Sequence, residues 1–213
     1  MSGGVLLVGA SGLAREVIAA GMTGVVGILD DDERLRGAVI DGVPVLGPLA
    51  DAAHRAEELL VSIGPGTTRR EVVDRLRRDG VGDGRYATFV ARSARVGGSS
   101  RIAPGSILLE GVVVTADARI GRHVVVMPQC VITHDDVLDD FVTLAAGVAL
   151  GGSVFVGQGA YVGMNASVRQ GVRIGEAATV GMGAVLLEDA PAGATWVGVP
   201  ARPVHLRRAR ETT

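Results

Sequence analysis

Cysteine occurs once, at Cys130, so the chain cannot close an intramolecular disulfide. A chain of this size without a cystine framework reads as cytoplasmic. Lysine is absent, and all 21 basic residues are Arg. That excludes Schiff-base catalysis by a lysine and any P-loop, which needs its Lys. Aromatics are scarce, with 3 Phe, 2 Tyr and 1 Trp, so the core must be aliphatic. No run of 18 apolar residues exists, and the N-terminus lacks a basic-then-apolar leader. A net charge of -2 argues against a general surface for nucleic acid or anionic membrane. What the chain has in excess is glycine, 32 of 213 residues, about twice the usual ~7%.

The second excess is order. Every sixth residue from Val90 to Leu186 is Val, Ile or Leu, 17 positions without a slip. Four residues after each lies a second column, from Ala94 to Ala184, of small residues or Val, broken only by Asp136. A period of six matches neither the 3.6 of a helix nor a heptad. It predicts a β-solenoid in which each hexapeptide turns one large and one small side chain inward. One hexapeptide cannot bury its apolar side alone, whereas stacked coils can. Cys130 falls in the small column and reads as core. Asp136 also falls there and would need hydrogen-bond partners.

Residues before the repeat alternate differently. Val5–Val8 ends in Gly9-Ala10-Ser11-Gly12, and a helical pattern follows from Leu13 to about Ala20. Strands are expected at Val25–Leu29, ending in Asp30-Asp31-Asp32, and at Leu59–Ile63, ending in Gly64-Pro65-Gly66. A helix is expected from Thr67 to about Arg78, capped by Thr67 or Thr68. The alternation implies a small parallel sheet, a truncated Rossmann-like unit. Gly9-x-x-Gly12 between strand and helix fits an anion at a helix N-terminus, and Asp30 stands about where a ribose hydroxyl would be accepted. A tight strand-to-helix turn with no ligand, a nucleotide-linked ligand and a redox dinucleotide all remain open on these residues. The organisation expected is residues 1–88 as a Rossmann-like domain, 89–187 as the solenoid and 188–213 as a C-terminal extension.

The hexapeptide pattern resembles the hexapeptide-repeat acyltransferases, which form left-handed parallel β-helices with three hexapeptides per coil and assemble as trimers with active sites between subunits. The combination of the Gly9-Ala10-Ser11-Gly12 head, the Asp30-Asp31-Asp32 run, the Gly64 turn, the solenoid and Val197-Gly198-Val199-Pro200-Ala201-Arg202 is similar to the sugar O-/N-acetyltransferases of that family. These are the sialic-acid O-acetyltransferase and nucleotide-amino-sugar N-acetyltransferase types. The resemblance implies an N-terminal domain that holds a nucleotide sugar through Gly9, Ser11, Gly12, Leu13, Asp30, Asp31 and Gly64. It also implies a solenoid groove that holds acetyl-CoA through Gly151, Gly152, Met164, Met182 and Arg202. The family polar positions at Met127 and Thr143 carry Asn and His in other members, so the acyl-transfer machinery is kept while the sugar-contacting set is altered.

Of the four histidines, His54 and His205 read as solvated and His123 as a surface or interface residue. His134 stands two residues past Ile132, at a corner, and should point outward. Thr133-His134-Asp135-Asp136 resembles the family element in which the histidine is the general base and the neighbouring acid orients it. An imidazole suits removal of a proton from an amine or hydroxyl at neutral pH, and a carboxylate on its other nitrogen fixes the tautomer. One coil is 18 residues, so Gly152 stacks on His134. The resemblance places the N–H donor to the acetyl oxygen there. The alternative for His134 is a plain interface histidine.

The expectation is thus an acetyl-CoA-dependent N-acetyltransferase acting on a nucleotide-linked amino sugar in glycan-precursor synthesis. Sugar O-acetylation of the sialic-acid type and a non-catalytic trimeric solenoid scaffold are the alternatives. A metal hydratase would need three converging histidines, but only His123 and His134 lie in the repeats, so no metal is expected. The Arg207-Arg208-Ala209-Arg210 tail reads as solvated or touching CoA phosphates.

Overall fold

A computed structural model describes residues 3–204. His205 and the Arg207-Arg208-Ala209-Arg210 tail lie outside the described residues. The N-terminal part is a sheet of β1 (Val5–Val8), β2 (Val25–Leu29), β3 (Val39–Ile40), β4 (Val43–Gly47) and β5 (Glu58–Val61) in the order β3-β4-β2-β1-β5. All neighbours are parallel except the β3–β4 hairpin. β1 is buried along its length. Its alternate residues serve opposite layers: Val5 and Leu7 pack with α1 (Gly12–Ala19), and Leu6 and Val8 with α2 (Gly66–Arg78).

Two details differ from the sequence reading. The third expected strand ends at Val61, two residues short of Ile63. α2 starts at Gly66 with Pro65 as its cap residue and no side-chain cap, so neither Thr67 nor Thr68 fills that role. The cause is packing. A Cβ on Gly66 would collide with the carbonyl oxygen of Phe141, so the first turn of α2 is pressed against the solenoid.

From Phe89–Val90 to Val185–Leu186, 17 two-residue strands recur every six residues. The first 14 each pair in parallel with the strand 18 residues on, as Val113↔Val131 and Val137↔Phe155 do. The result is the expected left-handed parallel β-helix with three faces. The first face carries Phe89, Ile107, Val125, Thr143, Tyr161 and Thr179; the second carries Val131 and Ala149; the third carries Val137 and Phe155. The aliphatic column is buried from Leu108 to Leu186, in one core along the axis. Val90 and Val96 are exposed because no coil lies beneath the first one.

The chain turns its corners through the left-handed region. Every sixth residue from Gly105 to Gly183 has a positive φ, including Asp117, His123, Gln129, Asp135 and Phe141. Glycines elsewhere in the corners answer a different demand. A Cβ on Gly163 would lie 2.5 Å from the backbone nitrogen of Met182 in the next coil.

The N-terminal domain sits on the first face. The outward residues Phe89, Ile107 and Val125 join the core beneath α1 and are buried. Two coils beyond Val125 on the same face, Tyr161 emerges into solvent.

Candidate active site

His134 stands at the corner between the second and third faces and is exposed, as its position in the repeat predicts. Asp135 takes the left-handed corner position, with φ 62°, a conformation Asp tolerates better than most side chains. Its Oδ2 lies 2.8 Å from His134 Nδ1. Nε2 makes no hydrogen bond among the described residues. Gly152 stacks beneath the ring, and a Cβ there would overlap Nε2. Among the described residues the Gly152 N–H donates to no protein acceptor.

Asp136 is fully buried beneath this corner. Its carboxylate accepts from Thr133 N at 2.7 Å and from Val154 N at 2.8 Å, so it ties the residue before His134 to the next coil. Burial pushes its pKa up to about 6, against the pull of these two N–H groups. Cys130 is core, as expected. Its thiol donates to Ala145 O at 3.0 Å, and burial pushes its pKa up to about 11.

His123 is not a surface residue. It is buried between Tyr86, edge-on at 4.5 Å, and Phe141, stacked at 5.3 Å, where the N-terminal domain meets the solenoid. Burial first, then the nearby Arg69, push its pKa down to about 4. Arg69 is the residue that the sequence reading missed. Its guanidinium is fully buried and bridges the two parts. It donates from Nε to His123 O at 2.8 Å and from Nη1 to Ile63 O and Gly64 O at 2.8 and 2.6 Å. Nη2 reaches Phe141 O, Val142 O and Thr143 Oγ1 at 3.0, 3.1 and 3.0 Å.

The Gly9–Gly12 turn is braced from within. Ser11 Oγ caps α1 by accepting from Leu13 N and donates to Ser62 O at 2.6 Å. Asp30 holds Ala10 N at 2.7 Å and Asp32 N at 2.8 Å. Asp31 accepts from Leu49 N at 3.0 Å and pairs with Arg75. The Leu13 side chain is buried in the core. The Ser11 and Gly12 N–H groups make no protein hydrogen bond among the described residues, and nothing lies within 4 Å of a Cβ on Gly12 or Gly64. These two N–H groups and the open space above them are what the turn offers a ligand.

A cleft of about 560 Å³ opens where the N-terminal domain ends on the solenoid. Gly64 and Pro65 form one wall. Met127, Pro128, Ala146 and Met164 form the other, at the corner between the first and second faces. Thr143 and Tyr161 contribute from the first face, and Glu16 reaches in from α1.

The expected site residues therefore fall into separate groups on one chain. His134, Asp135, Gly151 and Gly152 gather at one edge of the second face. Met164 and Met182 stand at its other edge, 47% and 73% exposed. Arg202 lies near the C-terminal end of the first face, paired with Glu188 at 3.0 Å. No single chain closes a site around all of them. Among the described residues no group of three His, Cys, Asp or Glu is placed to hold a metal ion, and no helix is long and apolar enough to cross a membrane.

The model of the PglD N-terminal domain matches residues 4–76. Among solved structures, the chain is similar to a GDP-perosamine N-acetyltransferase from Caulobacter crescentus, solved as a histidine-to-alanine variant in complex with CoA and GDP-perosamine. Identity is 31% and the TM-score 0.87, over 96% of this chain and 98% of that one. It is also similar to the acetyltransferase domain of PglB from Neisseria gonorrhoeae in complex with acetyl coenzyme A, at 28% identity and TM-score 0.86, over 96% and 100% of the two chains. WeeI from Acinetobacter baumannii matches at 27% identity and TM-score 0.75, over 94% and 99%.

Proposed function

The chain belongs to the hexapeptide-repeat sugar acetyltransferase family and is an acyltransferase, and we propose that it moves an acetyl group from acetyl-CoA to the amine of a nucleotide-linked sugar used to build a glycan. The observation that carries this reading is the His134–Asp135 pair, at 2.8 Å, stacked on a glycine with an unused N–H. An amino sugar is cationic at neutral pH and must first release one proton to solvent to free its lone pair; the second is shed as it attacks. In this reading the amine lone pair adds to the acetyl carbonyl, and His134 Nε2 takes the proton shed by nitrogen. Asp135 steadies the imidazolium. The oxyanion accepts the Gly152 N–H. Collapse expels the sulfur, which takes the proton from His134 and leaves as the free thiol of CoA.

We place the nucleotide sugar on the N-terminal domain, with its phosphates toward the Ser11 and Gly12 N–H groups, and the sugar ring in the cleft beside Gly64 and Thr143. His134 and that cleft occupy opposite edges of the second face. This supports a homotrimer in which the His134 corner of one copy meets the cleft of another, with acetyl-CoA between Gly151-Gly152 of one and Met164, Met182 and Arg202 of its neighbour.

The test is a panel of UDP-, GDP- and dTDP-linked 3-amino and 4-amino sugars with acetyl-CoA, following free thiol. Release with one amino sugar, lost in His134→Ala, is the expected result. Silence with every amino sugar and turnover with a hydroxyl acceptor would move the assignment to O-acetylation.

A further inference from the structure

The cleft has an unusual chemistry for a sugar site. Met127, Met164, Pro65, Pro128 and Ala146 bring no side-chain donor or strong acceptor. The Thr143 hydroxyl is already committed: it accepts from Arg69 Nη2 at 3.0 Å and donates to Gly64 O at 3.2 Å. Arg69 thus consumes the polar group that the floor of the cleft would otherwise offer. Tyr161 adds a neutral phenol. Glu16 is the one charged side chain in the lining.

Glu16 lies on α1, one residue before the buried Val17. Among the described residues its carboxylate forms no ion pair and no hydrogen bond. Its neighbour Arg15 turns away to Asp41 at 3.0 Å. Partial burial, and then the charge of Glu110, raise the pKa of Glu16. At the apolar cleft, the exposed Glu16 carboxylate is the one charge and has no cation partner among the described residues. An ammonium ion supplies one, and a charge-assisted hydrogen bond to a carboxylate is roughly twice as strong as a neutral one. A hydroxyl in the same place offers a single neutral donor.

Resting on the function proposed above, we infer that Glu16 is the residue that selects an amine over a hydroxyl acceptor, by pairing with the ammonium of the sugar as it enters the cleft. Glu16 acts on binding. The proton that nitrogen sheds on attacking the carbonyl goes to His134.

The experiment measures binding by calorimetry to the full chain, with CoA in place of acetyl-CoA so that no turnover occurs. The probes are the nucleotide-linked amino sugar that the wild type acetylates and its hydroxyl counterpart on the same nucleotide. The wild type is expected to bind the amine at least tenfold more tightly. In Glu16→Gln the preference falls to within about twofold, while affinity for the hydroxyl counterpart and for CoA stays unchanged. A Glu16→Gln variant that keeps the tenfold preference overturns this inference alone. A wild type that acetylates no amino sugar overturns the proposed function and this inference with it.

Discussion

The imidazole of His134 occupies the space that a Cβ on Gly152 would fill, one coil away. The candidate base and the candidate oxyanion donor are therefore in contact, and the glycine is what permits it. Gly152 has no left-handed φ, so alanine suits its backbone. Gly152→Ala is expected to push the ring off its place and lower kcat by roughly 10²-fold or more, as a lost positioning of a base does. Its melting temperature should stay close to wild type, because the corner is not core. Wild-type turnover in this variant would mean that the ring is not held there during catalysis.

Asp135 joins two demands in one residue. It must tolerate φ 62° and must present a carboxylate to Nδ1. Asparagine meets the first demand and removes the charge. Asp135→Asn should therefore fold normally and lose roughly 10- to 100-fold in kcat, with a smaller change in KM for acetyl-CoA. His134→Ala should lose more, on the order of 10²–10⁴-fold. Thiol release under saturating substrates ranks the two, and equal losses would show that the carboxylate is as essential as the ring.

The solenoid was legible because its period is a geometric necessity: one inward aliphatic residue per hexapeptide survives wherever three faces must close. The Asp41-Gly42 turn was also written in the chain. Both residues have positive φ, at 45° and 85°, and an Asp-Gly pair between two short apolar runs is a hairpin signal that the alternating-element reading passed over. The burial of Phe89, Ile107 and Val125 could be read only with the register in hand, since an outward apolar column looks like any other until something is seen to cover it. Arg69 stands on the stripe with Val73 and Leu76, at helical spacing, and an arginine on an apolar stripe is the trace it left. The division of the site between two edges of one face is absent from the motifs, because a motif carries spacing along the chain and not which corner faces which.

Arg69 has no carboxylate partner among the described residues. Its donors meet five carbonyl oxygens and one hydroxyl, drawn from both parts of the chain. Burial alone draws its pKa down to about 10, so it stays charged at neutral pH. Arg69→Met would leave buried carbonyls without donors, which costs roughly 1–3 kcal/mol for each group left unmet. Denaturant unfolding should show a loss of at least roughly 3 kcal/mol. Arg69→Lys should restore only part of it, because an ammonium has three donors and no planar fork. A Met variant as stable as wild type would mean that the two parts hold together without this bridge.

His123 and Asp136 impose opposite slopes on stability between about pH 4 and 6. The His123 pKa is depressed from 6.5 to about 4 by burial. The unfolded chain therefore binds the proton more readily, and stability is lost as pH falls from 6.5 toward 4. The Asp136 pKa is raised from 3.8 to about 6, so here the folded state binds the proton more readily. Its contribution is fully present below about pH 4 and is lost as pH rises through 6, a difference of roughly 3 kcal/mol. Each effect can be isolated. Asp136→Asn should make unfolding free energy rise more steeply from pH 4 to 6.5, because the opposing slope is gone. His123→Gln should invert the profile over the same range, so that stability declines as pH rises. Urea unfolding at half-unit pH intervals separates the two slopes. A flat difference between Asp136→Asn and wild type over that range would show that the buried carboxylate keeps an ordinary pKa, held down by the Thr133 and Val154 N–H groups.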